Sequence, residues 1–300
     1  MPPSLIEKDV HNTLAYFAYN QYPLTAFEVY KWQYCPERVY SYQEIDKVLK
    51  GSDWLLNRVG HFEGMYGLGN NLEVEQQVAA RKRRFLDAVK KQKKACKVVQ
   101  YISRLPSVRG VAICNSLAYH FTREKSDIDL FVITKSGRVW TARMWAVAPL
   151  MLLRQRPGET RKDPVDISFF ISEDALNLSE LMIDKSDPYL AFWIKTLTPV
   201  YGDEGLWDRF FKENSWVDKC LPNAHRPKRA YRMRCNNRIS FLPCLLPESL
   251  MRSLQLLKMP YRMKVLCNQG TCVVMNKEML KFHTTDRRRE ISDAFERKCV

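Results

Sequence analysis

Between Val111 and Thr134 the chain reads strand, turn, short helix, strand, and no other stretch limits the fold as much. Val111-Ala112-Ile113-Cys114 is a small apolar run, and Asn115-Ser116 breaks it with turn-forming residues. Leu117 to Phe121 can start a helix, and Ser126 to Thr134 reads as a second strand. Side chains two apart in a strand share a face, so Asp127 and Asp129 are expected to point the same way. Neighbouring carboxylates repel unless a cation sits between them. Hard oxygen ligands at this spacing suit Mg²⁺ or Mn²⁺. The plainer alternative is a pair of acids decorating a strand end. Further on, Val165-Asp166-Ile167-Ser168-Phe169-Phe170-Ile171 has strand propensity. Simple alternation puts Asp166 and Ser168 on one face, with Val165, Ile167 and Phe169 on the other. An acid early in an apolar strand calls for a partner or a cation, which makes Asp166 the third candidate. Asp163, followed by Pro164, reads as a loop residue and is the fallback.

Asn115-Ser116-Leu117-Ala118, followed by Ser126-Asp127-Ile128-Asp129-Leu130-Phe131-Val132, resembles the Gly-Ser…Asp-X-Asp signature of the polymerase-beta-type nucleotidyltransferase superfamily. The likeness runs roughly from residue 108 to residue 171. It implies an α/β (α+β) fold, a nucleotidyltransferase-type mixed sheet flanked by helices. It also implies metal-dependent transfer of a nucleoside monophosphate from an NTP to an acceptor. Asp127, Asp129 and Asp166 would be the catalytic, metal-holding carboxylates, with Mg²⁺ or Mn²⁺ as cofactor. Asn115, Ser116 and the nearby backbone would hold the nucleotide. Arg123 and Lys125 lie close enough in sequence to touch the triphosphate, or else are ordinary loop residues. The family usually has Gly where this chain has Asn115, and often Gly where it has His120. Asn is the non-Gly residue best able to adopt a left-handed backbone, whereas His120 leaves less room for a backbone to approach phosphate. The alternative is an inactive member of the fold that binds nucleotide or nucleic acid. An RNA end, a protein hydroxyl, an antibiotic or a small metabolite all remain open as acceptor.

The 300 residues suit two or three domains, and the net charge of +15 raises the question of an anionic partner. Nine scattered cysteines with no Cys-X-X-Cys pair favour reduced thiols over a disulfide framework or a zinc site. Cys267, Cys272 and His283 match no known ligand spacing. No apolar run approaches the roughly 20 residues that span a bilayer. Met1-Pro2-Pro3-Ser4 lacks a basic-then-apolar secretory pattern. A cytoplasmic chain with no membrane partner is expected.

Four regions follow. Residues 1–70 pattern as three helices and a hairpin, a winged-helix-like module. Its Ser41 and Glu44 form a capping box, and Glu63-Gly64 marks the turn. Six Lys/Arg against eight Asp/Glu give this module a charge of −2. That argues for protein docking or packing over nucleic-acid binding. Residues 71–104 read as one basic connecting helix. Val78, Phe85, Val89, Cys96 and Val99 form its apolar stripe, and Lys90, Lys91 and their neighbours form a face that is either solvated or attracts a polyanion. Residues 105–172 are the nucleotidyltransferase core, and residues 173–300 are expected to be a helical region. In the last, Pro199 to Gly202 reads as a turn, and Lys228, Arg229, Arg232, Arg234 and Arg238 as a basic stretch.

Overall fold

Local capping fixes much of the N-terminal region in the computed structural model, which describes residues 2–184, 186–225, 246–284 and 286–300. Helix α1 (Leu5–Ala18) leads through a two-residue strand, β1 (Leu24–Thr25), into α2 (Ala26–Lys31) and α3 (Tyr42–Gly51). Thr25 with Glu28, and Ser41 with Glu44, form reciprocal capping boxes. The expected third helix is two helices. Ser52 leaves the helical conformation and its hydroxyl caps a short α4 (Asp53–Leu56). Strands β2 (Val59–Phe62) and β3 (Met65–Leu68) turn at Glu63 and Gly64, both at positive φ (47° and 74°). The sheet order is β1-β3-β2, over a core that includes Val10, Leu14, Val29, Ile45 and Leu55.

Helix α5 (Asn71–Ile102) is one continuous rod capped by Asn70. Its buried stripe differs from the expected one. Phe85 and Val89 are exposed, and the inward face runs through Val78, Ala88, Lys91, Gln92, Ala95 and Val99. Lys91, expected on the basic outer face, is fully buried. An apolar-only stripe could not register a lysine that finds its partners inside the protein.

The main sheet collects strands from the whole remainder of the chain. β4 (Val108–Ile113) is followed by α6 (Asn115–Ala118), β5 (Ile128–Thr134), α7 (Val139–Leu152) and β6 (Val165–Ser172). Then come α8 (Pro188–Thr196), β7 (Thr198–Gly202), α9 (Glu204–Glu213) and α10 (Val217–Cys220). The described C-terminal elements are α11 (Glu248–Leu257), α12 (Tyr261–Leu266), β8 (Val273–Met275), β9 (Met279–Phe282) and α13 (Arg288–Glu296). Strand order is β7-β4-β5-β6-β9-β8. β5 and β6 run parallel with α7 as the crossover, and the other pairs are antiparallel. The region expected to be helical therefore supplies β7, β8 and β9. Pro199, expected in a turn, lies inside edge strand β7, where the missing N–H is tolerated. The Lys228–Arg238 stretch, Pro243 and Thr285 lie outside the described residues.

One face of the sheet packs Val111, Leu130, Val132 and Phe170 against α5 and α7. The other packs Phe131, Ile133, Phe169 and Ile171 against Trp193, Trp207 and Phe210 of α8 and α9. Burying each such side chain contributes about 1.5–3 kcal/mol. A bulge corrects the simple alternation expected for β6. Asp129 pairs with Asp166, but Phe131 pairs with Phe169, so β6 spends one residue more than β5. Phe169 thus joins the face that carries Asp166. Among the described residues no helix is long and apolar enough to cross a membrane.

Candidate active site

Strands β5 and β6 open onto a cavity of about 620 Å³, within the ~300–1,000 Å³ typical of small-molecule sites. Asp127, just before β5, Asp129, its second residue, and Asp166, the second residue of β6, all line it. Asp129 and Asp166 face each other directly across the parallel pair. Among the described residues none of the three makes an ion pair. Their electrostatics show the result. Burial, then repulsion from Asp166, raises the Asp129 carboxyl to about 7, while the Asn115 amide, which donates to it, pulls the other way. Burial also raises Asp166 and Asp127, and Lys91 opposes the second of these shifts.

The turn after β4 supplies the next layer. Asn115 has φ 54°, the left-handed conformation that glycine takes without strain, and His120 has φ 56°. Asn115 lines the cavity, and its amide links two groups. It donates to Asp129 through its nitrogen and accepts from the Tyr189 hydroxyl at Oδ1 at 3.2 Å. His120 turns away from this cavity, its ring packed on Phe85 and its Nε2 2.7 Å from Gln92 Nε2. The other expected nucleotide-binding residues stand off. Ser116 is half-buried and is not part of the cavity wall; its carbonyl accepts from the Phe121 N–H at 2.8 Å. Arg123 and Lys125 are exposed and likewise outside the wall. The loop that holds them is pinned from below. Lys91 Nζ donates to the carbonyls of Arg123 (2.5 Å), Ser126 (2.7 Å) and Glu124 (3.1 Å), with Asp87 and Asp163 at 3.4 and 3.6 Å. Asp163, the fallback carboxylate, is thus committed to Lys91 and not to the cavity.

The bulged residue Ser168 bonds the Asp166 carboxylate and lies 2.9 Å from His283 Nε2. The hydroxyl has one proton. If Ser168 gives it to Asp166, His283 Nε2–H is the donor to Ser168. Burial drives the His283 imidazolium down to about 4, so the ring is neutral at ordinary pH. His283 does not gather with Cys267 and Cys272 as a metal centre. Its backbone N–H donates to the Cys272 carbonyl at 3.0 Å.

The rest of the lining comes from β9, the sheet neighbour of β6, and from the segment that leads into α13: Lys281, His283, Arg287 and Arg288. Arg288 is buried. It donates to Asp187 at 3.0 Å, to Asp286 at 2.6 and 2.9 Å, and to the Leu181 carbonyl at 2.6 Å. Burial lowers the Lys281 ammonium to about 8, with Arg288 adding to the shift. This wall has only weak sequence signals: one lysine in a short strand, and a charged helix behind a cap cluster.

Much of the basic face of α5 is used internally. Arg81 pairs with Glu28 at 2.6 Å, Lys82 with Glu63, and Lys94 with Gln155 and the Asp163 carbonyl at 2.7 Å each. Arg83, Lys90, Lys93 and Lys97 face solvent. Among the described residues no group of three or more His, Cys, Asp or Glu side chains meets as a ready metal cage. The three aspartates offer the hard, underneutralised oxygens a divalent cation needs, without a finished coordination sphere. Compared with known proteins, the chain matches no family model, no curated protein and no solved structure.

Proposed function

We propose that the chain transfers a nucleoside monophosphate from an NTP to an acceptor hydroxyl or phosphate. The observation that carries this reading is that Asp127, Asp129 and Asp166 line one cavity together with Lys281, Arg287 and Arg288. In the reaction the acceptor oxygen attacks the α-phosphorus. The bond to the bridging oxygen breaks, and pyrophosphate leaves. Asp127 and Asp129, completed by Asp166, would hold Mg²⁺ or Mn²⁺. Bound metal supplies a lowered proton affinity at the acceptor oxygen and neutralisation of the leaving pyrophosphate. A finished protein cage is not needed for that, because Mg²⁺ commonly uses one or two carboxylates plus waters and substrate phosphates.

The protein's own groups then position and neutralise. Lys281, whose Nζ also donates to the Thr271 carbonyl, and Arg287 would supply positive charge to the phosphates from the cavity lining. Asn115 orients the Asp129 carboxylate. Ser168 and His283 fix the rotamer of Asp166, which can take the acceptor's proton. The N-terminal region, read as winged-helix-like, packs and docks, in line with its net acidic charge.

The test is to incubate the purified chain with Mn²⁺ or Mg²⁺, α-labelled NTPs and candidate acceptors. Label transfer with pyrophosphate release is expected, and Asp129→Asn should abolish both. Calorimetry with Mn²⁺ alone supplies a readout independent of turnover. A variant that transfers label as well as the parent overturns the assignment. A second reading is favoured by the lack of a formed metal cage among the described residues and by the position of Ser116, Arg123 and Lys125 outside the cavity lining. On it, the chain binds nucleotide without turning it over, and saturable NTP binding with no product would mark it.

A further inference from the structure

Cys35 follows α2 in the N-terminal region, and Cys220 ends α10 in the C-terminal half. The fold brings them together. The Cys35 N–H donates to the Cys220 carbonyl at 2.6 Å. A backbone bond of that length sets the two residues side by side, as a disulfide with its ~4.4–6.8 Å Cα separation requires. The two thiols hydrogen-bond to each other, and the Tyr34 hydroxyl bonds to them as well. That hydroxyl is also 2.9 Å from Ser186 Oγ. Cys35 is exposed and sits at φ 44°, a left-handed conformation unusual for a side-chain-bearing residue. An oxidant therefore has access to the pair, and the backbone already holds the two residues together.

We propose that Cys35 and Cys220 form a reversible disulfide when the protein meets a peroxide. The Cys220 thiolate attacks one peroxide oxygen, the O–O bond breaks, and hydroxide leaves, giving a sulfenic acid. The Cys35 sulfur then attacks the Cys220 sulfur. Its S–H proton and the departing hydroxide form water. With hydrogen peroxide, two thiols lose two protons and two electrons, and the peroxide becomes two waters. The roles are unequal because the hydrogen bond from Cys35 stabilises a thiolate on Cys220, lowering it to about 7, while Cys35 is pushed up. The inference is independent of nucleotidyl transfer.

The bond joins the segment after α2 to α10, which packs on α8. Helix α8 carries Tyr189 and Trp193 to the cavity. Oxidation would thus clamp the N-terminal region to the element behind one wall of the site.

The experiment uses the full-length chain, treated with hydrogen peroxide, alkylated, digested without reductant and mapped by mass spectrometry. A Cys35–Cys220 linked peptide is expected. It should vanish with dithiothreitol, and the melting temperature should rise on oxidation and fall back on reduction. Cys35→Ser should leave Cys220 trapped as a sulfenic acid that dimedone captures. The proposal fails if both thiols stay alkylatable after peroxide, if Cys220 advances to sulfinic acid with Cys35 still present and unlinked, or if either links to a different cysteine. Mapping the native chain does not depend on any variant folding.

Discussion

The cavity's two walls carry opposite charges, and they satisfy those charges in opposite ways. On the strand wall, Asp127, Asp129 and Asp166 crowd together with no ion pair among the described residues, and all three resist ionisation. In the basic part of the lining, Arg288 is clasped by Asp187 and Asp286, and Asp286 is held well below its usual range by that arginine after the opposing cost of burial. The basic wall is neutralised by its own acids, whereas the acidic wall lacks comparable partners. Repulsion retained in a partly buried site is a cost to folding. Among the described residues Lys91 offsets it in part at Asp127, and Arg156 and Arg143 in part at Asp166, and a proton or a cation would relieve the rest. The comparison therefore divides the site into a wall for chemistry and a wall whose buried arginine serves architecture.

The sharpest way to break this division is to remove charge from each wall in turn. Asp129→Asn should leave the fold intact or slightly more stable, since it removes a repelling carboxylate. It should still cost nucleotidyl transfer at least about 10²–10³-fold, the scale of losing one essential electrostatic group. Thermal melts beside the label-transfer assay check both halves. A large loss of stability in this variant would mean that the acidic wall is structural too.

Arg288→Met should do the reverse. It strands Asp187, which is 2 % exposed and caps α8, beside an unpaired Asp286. Removing one partner of a buried pair costs about 3–5 kcal/mol. Arg287→Ala, one residue earlier, breaks only exposed contacts, to Glu290 and to the Tyr19 hydroxyl, and should cost under ~1 kcal/mol. Urea titration of the two variants would show the difference, and equal midpoints would refute the proposed role of the buried arginine.

How far each wall was legible in the sequence follows from the same contrast. Asp127, Asp129 and Asp166 stand out because acids at the head of apolar strands break a local pattern, and a local pattern is what a sequence exposes. The left-handed turn at Asn115 was legible for the same reason, since the residue type matches the backbone it must adopt. Lys281 and Arg288 break no local pattern. Their meaning comes from β9 pairing with β6 across a long stretch of intervening chain. Strand β7 was hidden behind Pro199, and the bulge that turns Phe169 to the face of Asp166 leaves no mark in an apolar run. Lys91 was misplaced because its periodicity fits either face of α5. Only the carbonyls of a distant loop decide which.

Lys91 also joins the two halves of the comparison, as a cation used to build the acidic wall. Its three carbonyl acceptors set the path from Arg123 to Ser126, and that path delivers Asp127. Lys91→Met keeps the length of the side chain and removes the donor. Losing three charge-assisted, partly buried bonds should cost about 2–4 kcal/mol. Hydrogen exchange should show the loss concentrated in the loop before β5. If exchange there is unchanged, Lys91 fills space and does not hold the loop.

A pH-dependent effect, spread over several units, tests the origin of the contrast directly. An Asp titrates near 3.9 when unfolded, whereas Asp129 in the folded chain titrates at about 7. Between those values the folded state binds more protons than the unfolded state. Asp129 therefore makes stability fall as pH rises through the window, by up to ~1.4 kcal/mol per unit. His283 acts in the opposite direction. Its folded value of about 4 lies below the unfolded ~6.5, so it makes stability rise with pH across nearly the same range. The two slopes partly cancel in the metal-free wild type. Asp129→Asn removes one of them, so the variant's stability should climb more steeply than the parent's between about pH 4 and pH 7. Adding Mn²⁺ at pH 7 should stabilise the parent and leave the variant nearly unmoved. Superimposable pH curves would mean that the crowding of carboxylates carries no free energy, and the two walls would then differ in geometry alone.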